Sequence, residues 1–243
     1  MQQKTFEIMG QKVLAPGVYE MHLQGDTSAI VRPGQFVNIA VPGCTLRRPI
    51  SVCDLREQEL VITYRVVGRG TDIMSTLPDG THLDLLTGLG NGFDPDMSGE
   101  SPLLLGGGIG VPPLYLLAKC LREQGKDVQV CLGFNTASEM FYEDAFRDLG
   151  CKVLVCTADG SYGTKGFVTA GMDRAYTYTY ACGPLPMLRA VYDASNTDGE
   201  YSFEARMGCG FGACMGCSMM TRNGSRRVCR EGPVFRKEEI LWT

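Results

Sequence analysis

Leu104-Leu105-Gly106-Gly107-Gly108-Ile109-Gly110-Val111-Pro112-Pro113 reads as the end of a buried strand, a glycine turn and the start of a helix. The two prolines suit a first helical turn, where a missing N–H costs little. A glycine loop between strand and helix aims free backbone N–H groups and the positive helix end at a pyrophosphate. The stretch does not satisfy G-x-G-x-x-G, because Val111 stands where the third glycine belongs. Tight packing of strand on helix would call for some of the same glycines, so the turn by itself leaves both readings open. Around it the chain alternates: strand 102–105, helix 111–124, strand 128–134, helix 138–149, strand 152–156, strand 177–182 and helix 185–195. Such alternation predicts an α/β unit over residues 98–200, a parallel sheet with helices on both faces.

A second loop, Ala181-Cys182-Gly183-Pro184-Leu185-Pro186-Met187, follows a later strand and falls at the same C-terminal, ligand-binding edge. A small cysteine before Gly-Pro leaves room for a flat ring, although a plain strand–turn–helix stop would use the same residues. After the second strand, residues 132–137 offer no arginine or lysine for a 2′-phosphate, which favours NAD over NADP.

Residues 1–97 read differently. Short β-branched and aromatic runs at 5–9, 18–24, 35–41, 49–54, 59–67 and 82–87 are separated by turn signals such as Arg32-Pro33-Gly34 and Pro78-Asp79-Gly80, with a short helix expected over 70–77. That spacing predicts an antiparallel β barrel or sandwich. Within it, Arg47-Arg48-Pro49-Ile50-Ser51 sets an arginine beside a strand, where it can pair with a phosphate. Thr63-Tyr64-Arg65 and Gly68-Arg69-Gly70-Thr71 add an aromatic, cations and a glycine turn before a helix.

The third segment, 201–243, carries Cys209, Cys214 and Cys217 in C-x4-C-x2-C spacing, then Cys229. Plant-type ferredoxins hold a 2Fe–2S cluster with this spacing. Gly208, Gly210, Gly212 and Gly216 are interleaved with the first three cysteines, letting the loop bring backbone N–H groups toward the sulfurs. A hairpin about Asn223-Gly224 leads to the fourth ligand. A four-cysteine zinc site is the competing reading, but it would usually show a second close pair. Eleven cysteines, an odd number, argue against a disulfide framework.

Composition narrows the classes. A net charge of −4 gives no global case for nucleic-acid binding. The N-terminus lacks a basic segment followed by an apolar stretch, so no signal peptide is expected, and no apolar run is long enough to span a bilayer. A cytoplasmic setting is the expectation. Between 201 and 243 seven basic residues face four acidic ones; this is either a solvated face or a docking surface.

Taken together, R-P-x-S, Y-R-V-x-G-x-G-T, G-G-G-x-G-x-x-P and C-G-P resemble the ferredoxin–NADP reductase-like flavoproteins. With Met207-Gly208-Cys209, Glu231-Gly232-Pro233, Gly90-Asn91-Gly92-Phe93 and Ala158-Asp159-Gly160-Ser161-Tyr162-Gly163, the chain is similar over nearly its whole length to the dihydroorotate dehydrogenase B electron-transfer subunits. The resemblance implies an FAD-binding barrel that uses Arg48, Pro49, Ile50, Ser51, Thr63, Tyr64, Arg65, Gly70 and Thr71. It implies a nicotinamide site with Gly107, Gly108 and Gly110 in the first loop and Cys182, Gly183 and Pro184 near the nicotinamide, and a 2Fe–2S cluster on the four cysteines. It further implies an FMN-containing catalytic subunit as partner, in a heterotetramer of two of each chain, with electrons passing through the cluster and FAD to NAD in pyrimidine synthesis. A nicotinamide exchanges two electrons, a cluster one, and a flavin either, so the three belong together. No general acid or base is expected, and His22 and His82 read as surface or barrel residues. The alternative is a subunit of a related NAD(P)H:ferredoxin or sulfide oxidoreductase. In that relative the first cluster ligand is an aspartate, where this chain has Cys209.

Overall fold

The structure, a computed structural model, describes residues 1–242. The first segment forms β1 (Gln2–Ala15), β2 (Val18–Gln24), β3 (Phe36–Ile39), β4 (Arg48–Arg56), β5 (Glu59–Arg65), α1 (Arg69–Ser75) and β6 (His82–Leu89). The six strands close into an antiparallel barrel in the order β1-β2-β5-β4-β3-β6. Phe6, Ile8, Met21, Leu23, Val37, Ile39, Leu60 and Ile62 fill it, so the inward positions follow the period of two that a pleated strand imposes. β1 is longer than the expected 5–9. Its first half pairs with β6 and its second half with β2, with a register shift between Ile8 and Gly10. That second half, Met9–Ala15, sets apolar residues in a row beside Gly10, Gln11 and Lys12 and is mostly exposed or only partly buried, so it carries no alternating apolar signal.

The chain continues through β7 (Pro102–Gly107), α2 (Pro113–Glu123), β8 (Gln129–Phe134), α3 (Glu143–Asp148), β9 (Lys152–Thr157), β10 (Thr164–Lys165), β11 (Tyr178–Cys182), α4 (Leu185–Ala194), β12 (Gly199–Ser202), β13 (Ser218–Thr221), β14 (Gly224–Arg227) and β15 (Val234–Arg236). The second sheet runs β10-β9-β8-β7-β11-β12-β15, parallel except for β15, which lies antiparallel to β12. β7 sits between β8 and β11, so the strand order reverses at its C-terminal end, the place where open α/β sheets bind ligands. β12 spans residues 199–202 and β15 closes the sheet, so the cysteine-bearing stretch is built onto it.

The helix expected over 138–149 is interrupted. A 3-10 turn at Ala137–Glu139 is followed by Tyr142 in the left-handed region (φ 67°) before α3 begins. The cause is a tertiary contact: the Tyr142 hydroxyl donates to Glu20 of the barrel and lies 2.7 Å from Thr63 Oγ1. Cys53 Sγ, 3.2 Å away, completes this buried junction. Burial holds the Tyr142 hydroxyl far above its ordinary titration range. Lys119 of α2 adds an ion pair to Asp54 of β4 at 3.0 Å, and Leu116 of the same helix packs into the barrel's apolar cluster. The barrel and the parallel sheet are thus joined by buried contacts. Among the described residues no helix is long and apolar enough to cross a membrane.

Candidate functional site

Two contiguous clefts open where the barrel meets the C-terminal edge of the parallel sheet. The first, of about 330 Å³, is lined by Arg48, Pro49, Ile50 and Ser51 of β4, by Thr63, Tyr64 and Arg65 of β5, and by Thr71 of α1. The second, of about 550 Å³, is lined by Gly107, Gly108, Gly110, Gly183 and Pro184. Arg65, Ile109 and Glu204 line both. Apart from Gly70, which lines neither cleft, the barrel and loop residues singled out in the sequence therefore border one continuous groove. Cys182 lies on the wall of the first cleft, not the second. Its thiol is pushed up to about 12 by burial, which leaves it a small neutral group.

The two arginines of the R-R-P-x-S stretch have different jobs. Arg47 pairs with Asp84 at 2.9 Å and donates to the Asn38 and Asp84 carbonyls, pinning β4 to β3 and β6. Arg48 has no carboxylate partner among the described residues and lies against Gly70, where a Cβ would come within 2.0 Å of its Nε. Gly70 thus contributes by making room for Arg48. Arg65 Nε is buried without a hydrogen-bond partner. An unpaired buried guanidinium nitrogen facing a cleft is expensive unless a ligand satisfies it, so these residues fit a phosphate-bearing cofactor. Thr71 accepts from Val67 N and Gly68 N and donates to Gly68 O, closing the first turn of α1. Tyr64 borders the cleft, but its ring stacks on Tyr19 and its hydroxyl donates to Gln11 at 2.7 Å, so the side chain serves the barrel core.

In the second cleft Gly110 is tightly constrained. A Cβ there would meet the Cys182 carbonyl oxygen at 2.3 Å and Gly183 Cα at 2.6 Å. The two loops are thus nested backbone to backbone, leaving a shallow floor against which a flat dinucleotide can lie. This close packing is the second role that the glycine turn left open.

Glu204, which the sequence reading missed, opens onto both clefts; its side chain is exposed there, and partial desolvation by the surrounding walls raises its carboxyl above the usual range. It follows β12 without any motif, and only the register of that strand beside β11 places it there. His22 lies at hydrogen-bond distance from Glu20 and Glu59, within the barrel wall.

The cysteines are arranged in two pairs. Cys209 and Cys214 exchange contacts, Cys209 N to Cys214 Sγ at 3.5 Å and Cys214 N to Cys209 Sγ at 3.4 Å, with Ala213 N at 3.2 Å from Cys209 Sγ. Cys229 N donates to Cys217 Sγ at 3.4 Å. Among the described residues no three His, Cys, Asp or Glu side chains converge as a single ion would require. Two thiols for each of two irons is the donor set of a binuclear cluster, and N–H groups aimed at sulfur stabilise thiolate charge. Burial opposes ionisation of Cys209, but the backbone N–H groups of Cys214, Phe211 and Ala213 outweigh it and bring the thiol down to about 6. Burial, and then the neighbouring Cys217 sulfur, push Cys229 up to about 12.

The hairpin that delivers Cys229 pairs Thr221 with Gly224, so Arg222 and Asn223 form its tip, one residue earlier than expected. Arg227 of this hairpin is bound to Glu231 and donates to the Gly212 carbonyl at 2.6 Å, bracing the cysteine loop. Arg227 in turn holds the Glu231 carboxyl down near 2. Cys214 is exposed, flanked by exposed Phe211 and Met215, whereas Cys217 and Cys229 are buried.

Residues 204–241 match a family model described as the iron–sulfur cluster binding domain of dihydroorotate dehydrogenase B. The chain is 42% identical to the dihydroorotate dehydrogenase B (NAD(+)) electron transfer subunit of Bacillus pumilus, over 99% of this chain and 98% of that one. It is 42% identical to the corresponding subunit of a Geobacillus species over 99% of each chain. Among solved structures it is similar to an NADH-dependent reduced ferredoxin-NADP oxidoreductase, with TM-score 0.88 and 30% identity over 98% of this chain and 90% of that one. A ferredoxin NADP+ reductase from Neisseria gonorrhoeae with bound FAD and NADP shares the fold at 15% identity, TM-score 0.69, over 80% of this chain and 90% of that one.

Proposed function

The chain belongs to the family of dihydroorotate dehydrogenase B electron-transfer subunits, and from that premise we propose how its residues divide the task. When bound, FAD supplies the exchange between two-electron nicotinamide and one-electron iron–sulfur chemistry. Arg48 and Arg65 hold the FAD diphosphate by charge-assisted hydrogen bonds. Pro49, Ile50, Ser51, Thr63 and the backbone at Tyr64 form the wall for its ring, and Gly70 and Thr71 shape the turn beside it. Gly107, Gly108 and Gly110 with Gly183 and Pro184 seat NAD, and Cys182 gives the two rings a small neutral neighbour. Cys209, Cys214, Cys217 and Cys229 ligate the 2Fe–2S cluster. No side chain needs to act as general acid or base, because positioning and electrostatics are the chain's share of the work.

The observation that carries this reading is the meeting of the two clefts at Arg65, Ile109 and Glu204, with the cysteine pairs built onto the same sheet. The partner is an FMN-containing catalytic subunit in the cytoplasm, two of each chain forming the assembly, and it docks on the face where Cys214, Phe211 and Met215 are exposed, with Arg206 and Arg230 exposed on the same cysteine-bearing segment. As an oxidoreductase subunit the isolated chain should oxidise NADH with an artificial acceptor and leave dihydroorotate untouched. Turnover of dihydroorotate by the chain alone would contradict this. The likeness to the ferredoxin-NADP oxidoreductase structure supports the second reading, a ferredoxin- or sulfide-linked subunit. Cys209 at the first ligand position favours the first.

A further inference from the structure

One element of the barrel touches both the flavin cleft and the cysteine loop. On β3, Val37 and Ile39 point into the barrel core, so Phe36 and Asn38 point the other way. Across the ladder Phe36 is paired with Ser51 and Asn38 with Pro49, two residues of the cleft-lining strand. Phe36 itself lines the first cleft and packs in the same apolar cluster as Cys217 and Cys229. Asn38, only 1% exposed, donates from Nδ2 to the carbonyl of Cys209 at 3.0 Å. β3 is therefore the wall shared by the flavin cleft and both cysteine pairs.

The fit around Asn38 is close on every side. Its own carbonyl is held by Arg47 Nη1 at 3.2 Å. Gly210 has φ +77°, and a Cβ there would stand 2.3 Å from Asn38 Nδ2. The side-chain Oδ1 is buried and has no partner. A buried amide left half satisfied costs stability where an apolar residue of the same shape would not, so an asparagine at this position calls for a reason outside packing.

Resting on the cofactor assignment above, we propose that Asn38 is a positioning residue for electron transfer: its amide fixes the first cluster ligand against the flavin strand and sets both the seating of the cluster and its coupling to the flavin. A partner that fixes the backbone of a ligating residue fixes where its sulfur can sit, and outer contacts of this kind orient the ligands and tune the centre.

The test uses the full chain loaded with FAD and cluster. Asn38→Leu keeps the volume and removes the donor, and Asn38→Asp keeps the shape and turns an acceptor toward the Cys209 carbonyl. Both are expected to retain FAD and wild-type reduction of flavin by NADH. The electron paramagnetic resonance spectrum of the reduced cluster should change, iron release to a chelator should quicken about tenfold, and flavin-to-cluster electron transfer should slow by a similar factor. A purely structural asparagine would lower the melting temperature and leave the spectrum alone. Should neither variant fold, Gly210→Ala displaces the amide from the opposite side, and the same readouts apply. An unchanged spectrum, iron release and transfer rate in a folded variant overturns the proposal, as does loss of FAD with the cluster intact. Wild-type protein without a 2Fe–2S spectrum would instead overturn the cofactor assignment beneath it.

Discussion

Glu200 of β12 is 4% exposed, and its carboxylate accepts a hydrogen bond from Asp94 N at 2.8 Å. Burial, opposed by that N–H and reinforced by the Asp94 charge, raises its pKa from 4.5 to about 7. The fold therefore prefers the protonated acid. The stability so contributed is fully present below about 4.5 and is lost as pH rises through about 7. The interval between those values corresponds to about 3 kcal/mol. Glu200→Gln supplies a neutral group of the same shape that can still accept from Asp94 N. At pH 8 it should raise the melting temperature by about 6–12 °C, taking roughly 2–4 °C per kcal/mol for a chain of this size. At pH 4 the gain should vanish, because the wild-type acid is then protonated in both folded and unfolded states. Thermal unfolding of both proteins across pH 4–8 measures it. A gain that is equal at every pH, or a loss at pH 8, would show that the buried charge is not what limits stability there.

Three further outcomes bear on the site. Arg48→Ala should weaken FAD binding about tenfold to a hundredfold, the worth of a hydrogen bond to a charged group, read as flavin retained through gel filtration, and its iron content should be unchanged. Cys214→Ser should lose the cluster, seen as loss of iron and acid-labile sulfide, while FAD stays bound in the barrel. Gly110→Ala must push back the Cys182 carbonyl, which a Cβ would approach to 2.3 Å; overpacking of this kind should weaken NADH binding about tenfold or more in a calorimetric titration, with FAD retained.

The barrel, the parallel sheet and the cysteine loop were legible because each leaves a local signature: alternation, glycine turns after apolar runs, and fixed cysteine spacing. What stayed hidden depends on distant partners. Tyr142 breaks a helix-like stretch because Glu20 and Thr63, far back in the chain, take its hydroxyl. The second half of β1 shows no alternation, because its strand character comes from pairing with β2. Glu204 and Asn38 gain their places only when β12 aligns beside β11 and β3 beside β4. Tyr64 shows the converse: the motif drew attention to it, but pleating turns its ring into the barrel.

The most direct test of the electron-relay assignment is reconstitution. The purified chain, carrying FAD and about two irons, is mixed with an FMN-containing dihydroorotate dehydrogenase catalytic subunit, and dihydroorotate-dependent reduction of NAD is followed by absorbance. Neither chain alone should couple the two reactions, the mixture should, and Cys214→Ser should abolish coupling in the mixture. Wild-type coupling with the Cys214→Ser chain, or no complex and no coupling at any salt concentration, would contradict it.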